Sequence, residues 1–259
     1  MEKTDQLENP VPSAGELKRL VPSAVGRRLN RRVVNVIRYV LEDLLPPVFR
    51  DSIFFYWAMH ILFRKHTRYF TSFRPRSPYM TSEEYNAYYR FFPSLMSETD
   101  LNQRCIERLI AEVRGETFAD IGCGRGYFAG LLAQSTGKRV IASDFIIGSA
   151  LTQKYPGVRF VESEIERLPY PNQAFDTVIS SHTLEHILNF DQAVAELRRI
   201  YRRRLMIVVP REREYRYSFN LHVNFFPYRH SLLNRLQPLP RRHSCEVIGG
   251  DFFYIEDRD

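Results

Sequence analysis

Short apolar runs alternate with helix-length segments between residues 117 and 210. The runs are rich in Val and Ile and read "TFADIG", "RVIASD", "VRFVES", "FDTVIS" and "RLMIVVP". Alternation of this kind predicts a mostly parallel α/β sheet whose strands are joined by right-handed helical crossovers. The tail "SCEVIGGDFFYIEDRD" predicts two more strands joined at Gly249-Gly250, which form an antiparallel hairpin closing one edge of the sheet.

The chain before residue 100 follows a helical pattern instead. From Arg27, apolar residues recur at helical spacing until the chain reaches Pro46-Pro47. A second helix passes through Trp57, and "TSEEYNAYYRFF" opens with Thr81 or Ser82 before acidic residues, as a capping box does. The segment "LNQRCIERLIAEV" predicts a further helix that leads into the first strand.

The amino terminus is a proline-containing stretch with a near-duplication, "VPSAGELKRL" followed by "VPSAVGRRLN". Two copies are too few for a repeat architecture, so this stretch is interpreted as a loose arm. We therefore predict a flexible arm over residues 1–25, a helical extension over 26–99 that acts as a lid or as a membrane or partner contact, and an α/β domain over 100–259.

Composition narrows the setting. With 259 residues and 44% hydrophobic content, the chain can bury one substantial core with a smaller appendage. Cys105, Cys123 and Cys245 lie far apart, so neither a disulfide framework nor a structural zinc is expected, and no metal is predicted. The net charge is +7, and the segment from Arg198 to Arg242 is so rich in arginine that it is expected to attract anions.

The chain begins "MEKTDQLENP", which lacks the basic start and apolar run of a secretory signal. The apolar run "IFFYWAMHILF" is well short of the roughly 20 residues that span a bilayer. We expect a cytoplasmic protein in which this run is a buried or interfacial helix. A peripheral contact at the inner face of a membrane is an open alternative.

The stretch "ADIGCGRGYF" joins the first predicted strand to an apolar helix through three glycines, Gly122, Gly124 and Gly126. A dinucleotide-binding turn would need a third small residue at position 127, where this chain has Tyr127. A phosphate-binding loop would need Lys followed by Ser or Thr after the glycines, and neither is present. The residues therefore favour a ligand other than NAD or ATP, with Asp120 available to accept a hydrogen bond from an ammonium group.

The glycine motif strongly resembles the first motif of class I S-adenosylmethionine (SAM) dependent methyltransferases. Three later segments resemble that family in the same order: "IASD", ending at Asp144; "ESEIERLPYP"; and "AFDTVISSHTLEHI". The resemblance covers roughly residues 100–256 and implies a Rossmann-like, seven-stranded, mostly parallel sheet. It also implies SAM as the cofactor and methyl transfer as the activity.

Residue by residue, the resemblance assigns the ribose hydroxyls of SAM to Asp144 and the adenine to Glu164 and Ile165. The full set of implied cofactor-binding residues is Asp120, Gly122, Cys123, Gly124, Gly126, Tyr127, Asp144, Phe145, Glu164, Ile165 and Ser181. Structural alternatives stay open at three of them. Asp120 and Asp144 also fit as a turn cap and an ordinary loop acid, and Cys123 fits as a small packing residue.

The sulfonium of SAM is already activated, so the protein has to align an acceptor and, for a hydroxyl, remove its proton. The candidate bases are His182 and His186, after the fourth strand, and His222, after the fifth. Each histidine also has an alternative to a role as base. His182 would line the SAM pocket, and His222 would pack under a lid. His186 lies in an "LEH" segment that resembles one shared by relatives with very different acceptors, so a role in the chemistry of one acceptor need not follow.

The acceptor is expected to be a small molecule or glycan methylated on oxygen, with acidic and lipid-linked compounds suited to the arginines. Two other functions stay open. Arginines interleave with aromatic residues in "REREYRYSFNLHVNFFPYRH", which is compatible with RNA and a tRNA methyltransferase, although nucleic acid is the less favoured partner. A catalytically inactive SAM-binding partner protein would carry the same cofactor motifs.

Overall fold

A computed structural model describes residues 39–40, 44–63, 67–91, 99–214, 216–217 and 220–258. The arm predicted over residues 1–25 lies outside the described residues, as does most of the helix predicted from Arg27. The chain forms two compact units, one from residues 1–97 together with 215–221 and the other from residues 98–214 together with 222–259. The short segment of residues 215–221, which follows the fifth strand, therefore belongs to the first unit.

The first unit is helical in its described part. Its helices are α1 (Pro47–Arg50), α2 (Ile53–Phe63), α3 (Thr67–Arg76), a 3-10 turn (Ser77–Tyr79) and α4 (Ser82–Phe91). The predicted capping box is confirmed, because Thr81 Oγ1 accepts from the Glu84 amide and a Glu84 carboxylate oxygen accepts from the Thr81 amide. The ring of Phe73 lies 5.5 and 5.2 Å from those of Tyr85 and Tyr88, which gives this unit an aromatic core. Within the described ranges, no helix combines the length and the hydropathy required to cross a bilayer.

The second unit alternates strands and helices as predicted. Its elements are α5 (Gln103–Glu112), β1 (Phe118–Ile121), α6 (Tyr127–Thr136), β2 (Val140–Asp144), α7 (Leu151–Lys154), β3 (Val158–Glu162), β4 (Phe175–Ser181), a 3-10 turn (Leu184–His186), α8 (Phe190–Ile200), β5 (Tyr201–Pro210), α9 (Arg229–Arg235), β6 (His243–Ile248) and β7 (Asp251–Asp257). The strand order is β3-β2-β1-β4-β5-β7-β6. Strands β1 to β5 pair in parallel, and β7 runs antiparallel to both β5 and β6. The predicted fold class is confirmed, including the hairpin at one edge.

Two apolar layers cover the faces of the sheet, and β5 shows how the sequence produces them. Leu205 and Ile207 point into one buried cluster together with Phe190 and Leu197 of α8. Met206 and Val208 point into the other cluster, which α5 and α6 supply with residues such as Leu109 and Leu132. A strand buried on both faces needs an almost uninterrupted apolar run, which "LMIVV" provides.

Many arginines of the segment from Arg198 to Arg242 form ion pairs with acids of the second unit. These pairs reduce the positive charge that the segment was expected to offer to anions. Arg204 is 5% exposed and donates to Asp257 and to Glu112 at 2.7 and 2.5 Å. Arg198 pairs with Glu256 at 2.7 Å. Further pairs join Arg199 to Glu196, Arg202 and Arg203 to Asp176, and Arg235 to Asp191. All six acids lie outside the segment, and only Glu196, three residues before Arg199, is a close sequence neighbour of its partner. The sequence therefore did not reveal how far acids elsewhere in the chain offset the charge of the segment.

Candidate functional site

The predicted site residues meet at the carboxyl ends of the parallel strands. β1 and β4 are neighbours at the centre of the sheet, although β2 and β3 lie between them in sequence. The strand order therefore reverses between β1 and β4, and ligands of open α/β sheets bind at the crevice that such a reversal opens. The glycine turn follows β1, and the segment from His182 to His186 follows β4.

The glycine turn is held by the backbone of β2. The amides of Gly122 and Cys123 both donate to the Ser143 carbonyl, at 2.7 and 3.0 Å. Gly122 has φ +80°, and a Cβ added there would lie 2.1 Å from Oγ1 of Thr183. Beside Gly124, by contrast, a Cβ would meet no described atom within 4 Å. The turn is thus tightly packed at its base and open above Gly124, where a ligand can approach the backbone.

Asp120, on β1 just before this turn, is a buried residue with 1% exposure. Its carboxylate oxygen Oδ1 has no hydrogen-bond partner among the described residues. Burial, together with the charge of Asp144, raises the pKa of Asp120 to about 7. A buried polar atom without a partner is costly. A cationic ligand at the turn would satisfy it, so the arrangement fits the ammonium group of SAM.

Asp144 ends β2, and its carboxylate is already oriented by the glycine turn. Oδ2 accepts from the Gly124 amide at 2.8 Å, and Oδ1 accepts from the Ile146 amide at 3.3 Å. Burial raises the pKa of Asp144, and these amide hydrogen bonds oppose that shift. A carboxylate fixed at this edge has the geometry that ribose hydroxyls need, so the cofactor fits here as well.

The remaining predicted cofactor residues differ in their surroundings. Phe145, Tyr127 and Ser181 are half-buried at the same edge of the sheet, and Cys123 is buried. Burial raises the pKa of the Cys123 thiol, which suits a packing residue. Glu164 is exposed, whereas Ile165 is 7% exposed and packs in one of the apolar clusters.

His182 lies between two buried carboxylates. Its Nδ1 is 3.4 Å from Glu185 Oε1, and its Nε2 is 3.4 Å from Asp251 Oδ2. Burial alone would lower its pKa, but the two carboxylates outweigh burial and raise the pKa to about 10. A histidine held in the protonated state does not accept a further proton, so this geometry suits a fixed positive charge more than a base.

His186 and His222 come together because two loops are bonded to each other. The amides of Val223 and Asn224 donate to the Glu185 carbonyl at 2.8 and 3.0 Å. The side-chain amide of Asn224 donates to the carbonyls of Leu184 and Ile187.

The two imidazole rings consequently lie 4.6 Å apart between centroids, edge to face. His222 Nδ1 contacts Oε2 of Glu212 at 2.5 Å, and Glu212 is 3% exposed. Burial by itself would lower the pKa of His222, but Glu212 and then Glu185 reverse the effect and raise it.

Sequence reasoning missed the two acids of this group, Glu212 and Glu185. Glu212 lies in an arginine-rich stretch, ten residues before His222, and no sequence motif links the two residues. Glu185 directly precedes His186 in the "LEH" segment, and this adjacency was the one available signal. Glu185, His186 and His222 each present a ligand-type atom, and these atoms lie within 4.8 Å of one another.

Comparison with known proteins agrees with the geometry. Residues 119–208 match the family described as a methyltransferase domain. A malonyl-[acyl-carrier protein] O-methyltransferase of Serratia marcescens is 34% identical over 90 residues, which is 34% of this chain and 35% of that protein. A probable S-adenosylmethionine-dependent methyltransferase of Mycolicibacterium smegmatis is 31% identical over 98 residues, 37% of this chain and 38% of that protein.

Among solved structures, the PH0226 protein of Pyrococcus horikoshii OT3 has a TM-score of 0.50 at 18% identity, covering 66% of this chain and 98% of that one. That likeness supports the fold. The chain spans little more than a third of the length of the two curated relatives named above. The predicted resemblance and its cofactor, SAM, are confirmed for one domain: residues 119–208 form a methyltransferase domain, and a relative that matches it is named as a probable S-adenosylmethionine-dependent methyltransferase.

Proposed function

We propose that the protein transfers a methyl group from SAM to an oxygen atom of a small-molecule or glycan acceptor, with His222 as the base for a hydroxyl. The observation that carries this proposal is the contact between His222 and the buried Glu212, beside His186, at the edge of the sheet that bears the glycine turn. When bound, SAM supplies an activated methyl group. The protein supplies orientation and a place for the acceptor proton.

In this proposal Asp144 holds the ribose hydroxyls, and Asp120 receives the ammonium group above its buried Oδ1. Glu212 accepts a hydrogen bond from Nδ1–H of His222, which fixes the imidazole tautomer so that Nε2 carries the lone pair. The acceptor proton moves to that nitrogen. His186 lines the same space, and His182 contributes a fixed positive charge between Glu185 and Asp251.

The relative from Serratia marcescens carries an O-methyltransferase name, which supports oxygen as the atom methylated here. The acceptor oxygen can belong to a carboxylate or to a hydroxyl, and these two classes make different demands. A carboxylate is already deprotonated at neutral pH, whereas a hydroxyl needs a base. The arrangement of Glu212 and His222 favours a hydroxyl.

The test uses purified protein, methyl-labelled SAM and three acceptor pools: fatty acids and other carboxylates, hydroxylated small molecules and glycans, and total tRNA. We expect label in the hydroxyl pool and a loss of about 10²–10⁴-fold in His222→Gln. His243→Gln is the matched control, since His243 is exposed on β6. Methyl transfer only to tRNA would refute the proposal. Binding of S-adenosylhomocysteine (SAH) without turnover on any of the three pools would also refute it.

We also propose that the helical unit makes a peripheral contact with anionic membranes when the acceptor is lipid-linked. On α2, Phe55 and Tyr56 pack against Tyr217, while Phe54 and Ile61 are 79% and 75% exposed. An apolar helix face in water favours an interfacial partner. We expect co-sedimentation with vesicles containing phosphatidylserine, and weaker co-sedimentation of the Phe54→Ser/Ile61→Ser variant. Equal sedimentation of both proteins would exclude this contact.

A further inference from the structure

We propose that Glu185, His186 and His222 form a binding site for a divalent transition-metal ion, with Zn²⁺ as the ion that fits best. The inference is about binding and does not depend on methyl transfer. One carboxylate oxygen and two imidazole nitrogens lie within 4.8 Å of one another in the absence of any ion. Zinc ligands at their usual bond lengths in a tetrahedral site are about 3.4 Å apart. Zinc binding would require side-chain rotations that shorten the longest of these separations by up to about 1.4 Å.

The surroundings of the Glu185 carboxylate support a bound cation at this site. The residue is fully buried, and neither of its carboxylate oxygens accepts a hydrogen bond from a described residue. Protonated His182 forms an ion pair with Oε1 at 3.4 Å, and Oε2 has no hydrogen-bond donor among the described residues. A buried carboxylate usually requires a close partner or a metal ion, and a cation between Glu185 and the two histidines would provide it.

Glu212 is placed to orient a metal-binding histidine without binding the ion itself. It contacts Nδ1 of His222, which orients the ring and leaves Nε2 as the atom that presents a lone pair. Ligating histidines almost always donate their other N–H to a carboxylate, a carbonyl or water. The pair formed by Glu212 and His222 therefore has the form of a metal ligand with its supporting group.

The backbone holds the two ligand-bearing segments in a fixed relation. Val223 and Asn224, directly after His222, donate their amides to the Glu185 carbonyl. The Asn224 side chain bonds to the carbonyls on either side of Glu185 and His186. Because these bonds do not involve the ligand atoms, they pre-organise the site without occupying it.

The donor set identifies the kind of ion. Two imidazoles and one carboxylate match the ligands of catalytic zinc sites, in which a fourth position is left for water or substrate. Magnesium and calcium prefer oxygen ligands throughout, so they fit less well. His186 and His222 are both partly exposed, which gives the ion a route to the site.

The ion would occupy the lone pair assigned above to His222 as a base. Metal binding and proton acceptance by His222 therefore exclude one another.

The test is a titration of untagged, chelator-treated full-length protein with ZnCl₂, in competition with a chromophoric chelator. We expect one ion per chain. Substitution of a ligand in Glu185→Gln or His186→Gln should weaken binding by at least tenfold, and Glu212→Gln by about 10–100-fold. Replacement of zinc by Co²⁺ should give visible d–d absorption in the wild type, which the ligand variants lose. His243→Gln serves as the control with an intact site.

Glu185 is buried, so its variant is also checked by circular dichroism. His186→Gln, at a partly exposed position, supplies the same test if Glu185→Gln does not fold. The inference is overturned if the wild type binds no stoichiometric ion, or if it binds one with an affinity that His186→Gln leaves unchanged.

Discussion

The substitution Gly122→Ala tests how tightly the base of the glycine turn is built. Gly122 has φ +80°, and the added methyl group would lie 2.1, 2.4 and 2.7 Å from the Oγ1, Cγ2 and Cβ atoms of Thr183. All three distances are well inside van der Waals contact. Because the turn is pinned to Ser143 through two amides, it cannot move away from Thr183 without losing those bonds.

Two costs combine at this position. A left-handed backbone costs an alanine about 1–2 kcal/mol, and an extra methyl group in a packed site typically costs about 1–3 kcal/mol. We therefore expect the free energy of unfolding to fall by about 2–5 kcal/mol. Gly137 separates the two terms, because it has φ +66° but a Cβ there would meet nothing within 4 Å. Gly137→Ala should lose only the backbone part.

The assay is urea denaturation of both variants, followed by calorimetric titration with S-adenosylhomocysteine (SAH). Gly122→Ala should unfold at lower urea than Gly137→Ala and bind SAH more weakly, while Gly137→Ala keeps the wild-type affinity. Adding Thr183→Ala to Gly122→Ala removes the two nearest atoms and should recover part of the stability. Equal destabilisation by the two glycine variants, with unchanged SAH affinity, would refute the packing argument.

Three further predictions follow from other parts of the molecule. Arg204→Met should cost about 1.5–3 kcal/mol in urea denaturation, because it removes a buried guanidinium's hydrogen bonds to Asp257 and Glu112, which then keep Arg114 and Arg108, respectively, as ion-pair partners. Arg203→Met, at a side chain that is 63% exposed, should cost about 1 kcal/mol or less. Glu212→Gln should lower kcat for hydroxyl acceptors about a hundredfold with little change in KM, measured with labelled SAM. The pKa of Asp120 is about 7 before the ammonium group binds, so below pH 7 the carboxylate becomes protonated and loses the charge that attracts that group. The affinity for SAH, measured by calorimetry, should therefore fall by up to about tenfold per pH unit below pH 7. An affinity that is independent of pH would contradict this role of Asp120.

The sheet was predictable from sequence because each strand carries its own local signal. The run "FDTVIS" became β4, with one more residue, and the glycines at 249 and 250 became the turn between β6 and β7. The Thr81 capping box was equally local, since its partner Glu84 is three residues away.

Pairings between distant residues could not be predicted in this way. Arg204 pairs with Glu112, 92 residues earlier in the chain. Residues 215–221 belong to the helical unit although they begin only five positions after the end of β5, so they separate Glu212 from His222 in sequence while the two side chains meet in space. Helical and strand periodicity report which face of an element is apolar, but they carry no information about which acid a given arginine or histidine will contact.

The most direct test of the whole account is a calorimetric titration of the wild-type protein with SAH, beside Asp144→Ala and the control Glu116→Ala, which alters an acid whose side chain is 71% exposed and which precedes β1 at the opposite end of the strands. The account predicts saturable binding at one site per chain. Asp144→Ala should lose about 10–100-fold in affinity, the value of a charge-assisted hydrogen bond, and Glu116→Ala should bind like the wild type. Absence of binding to the wild type, or equal binding by all three proteins, would contradict the claim that this edge of the sheet holds SAM.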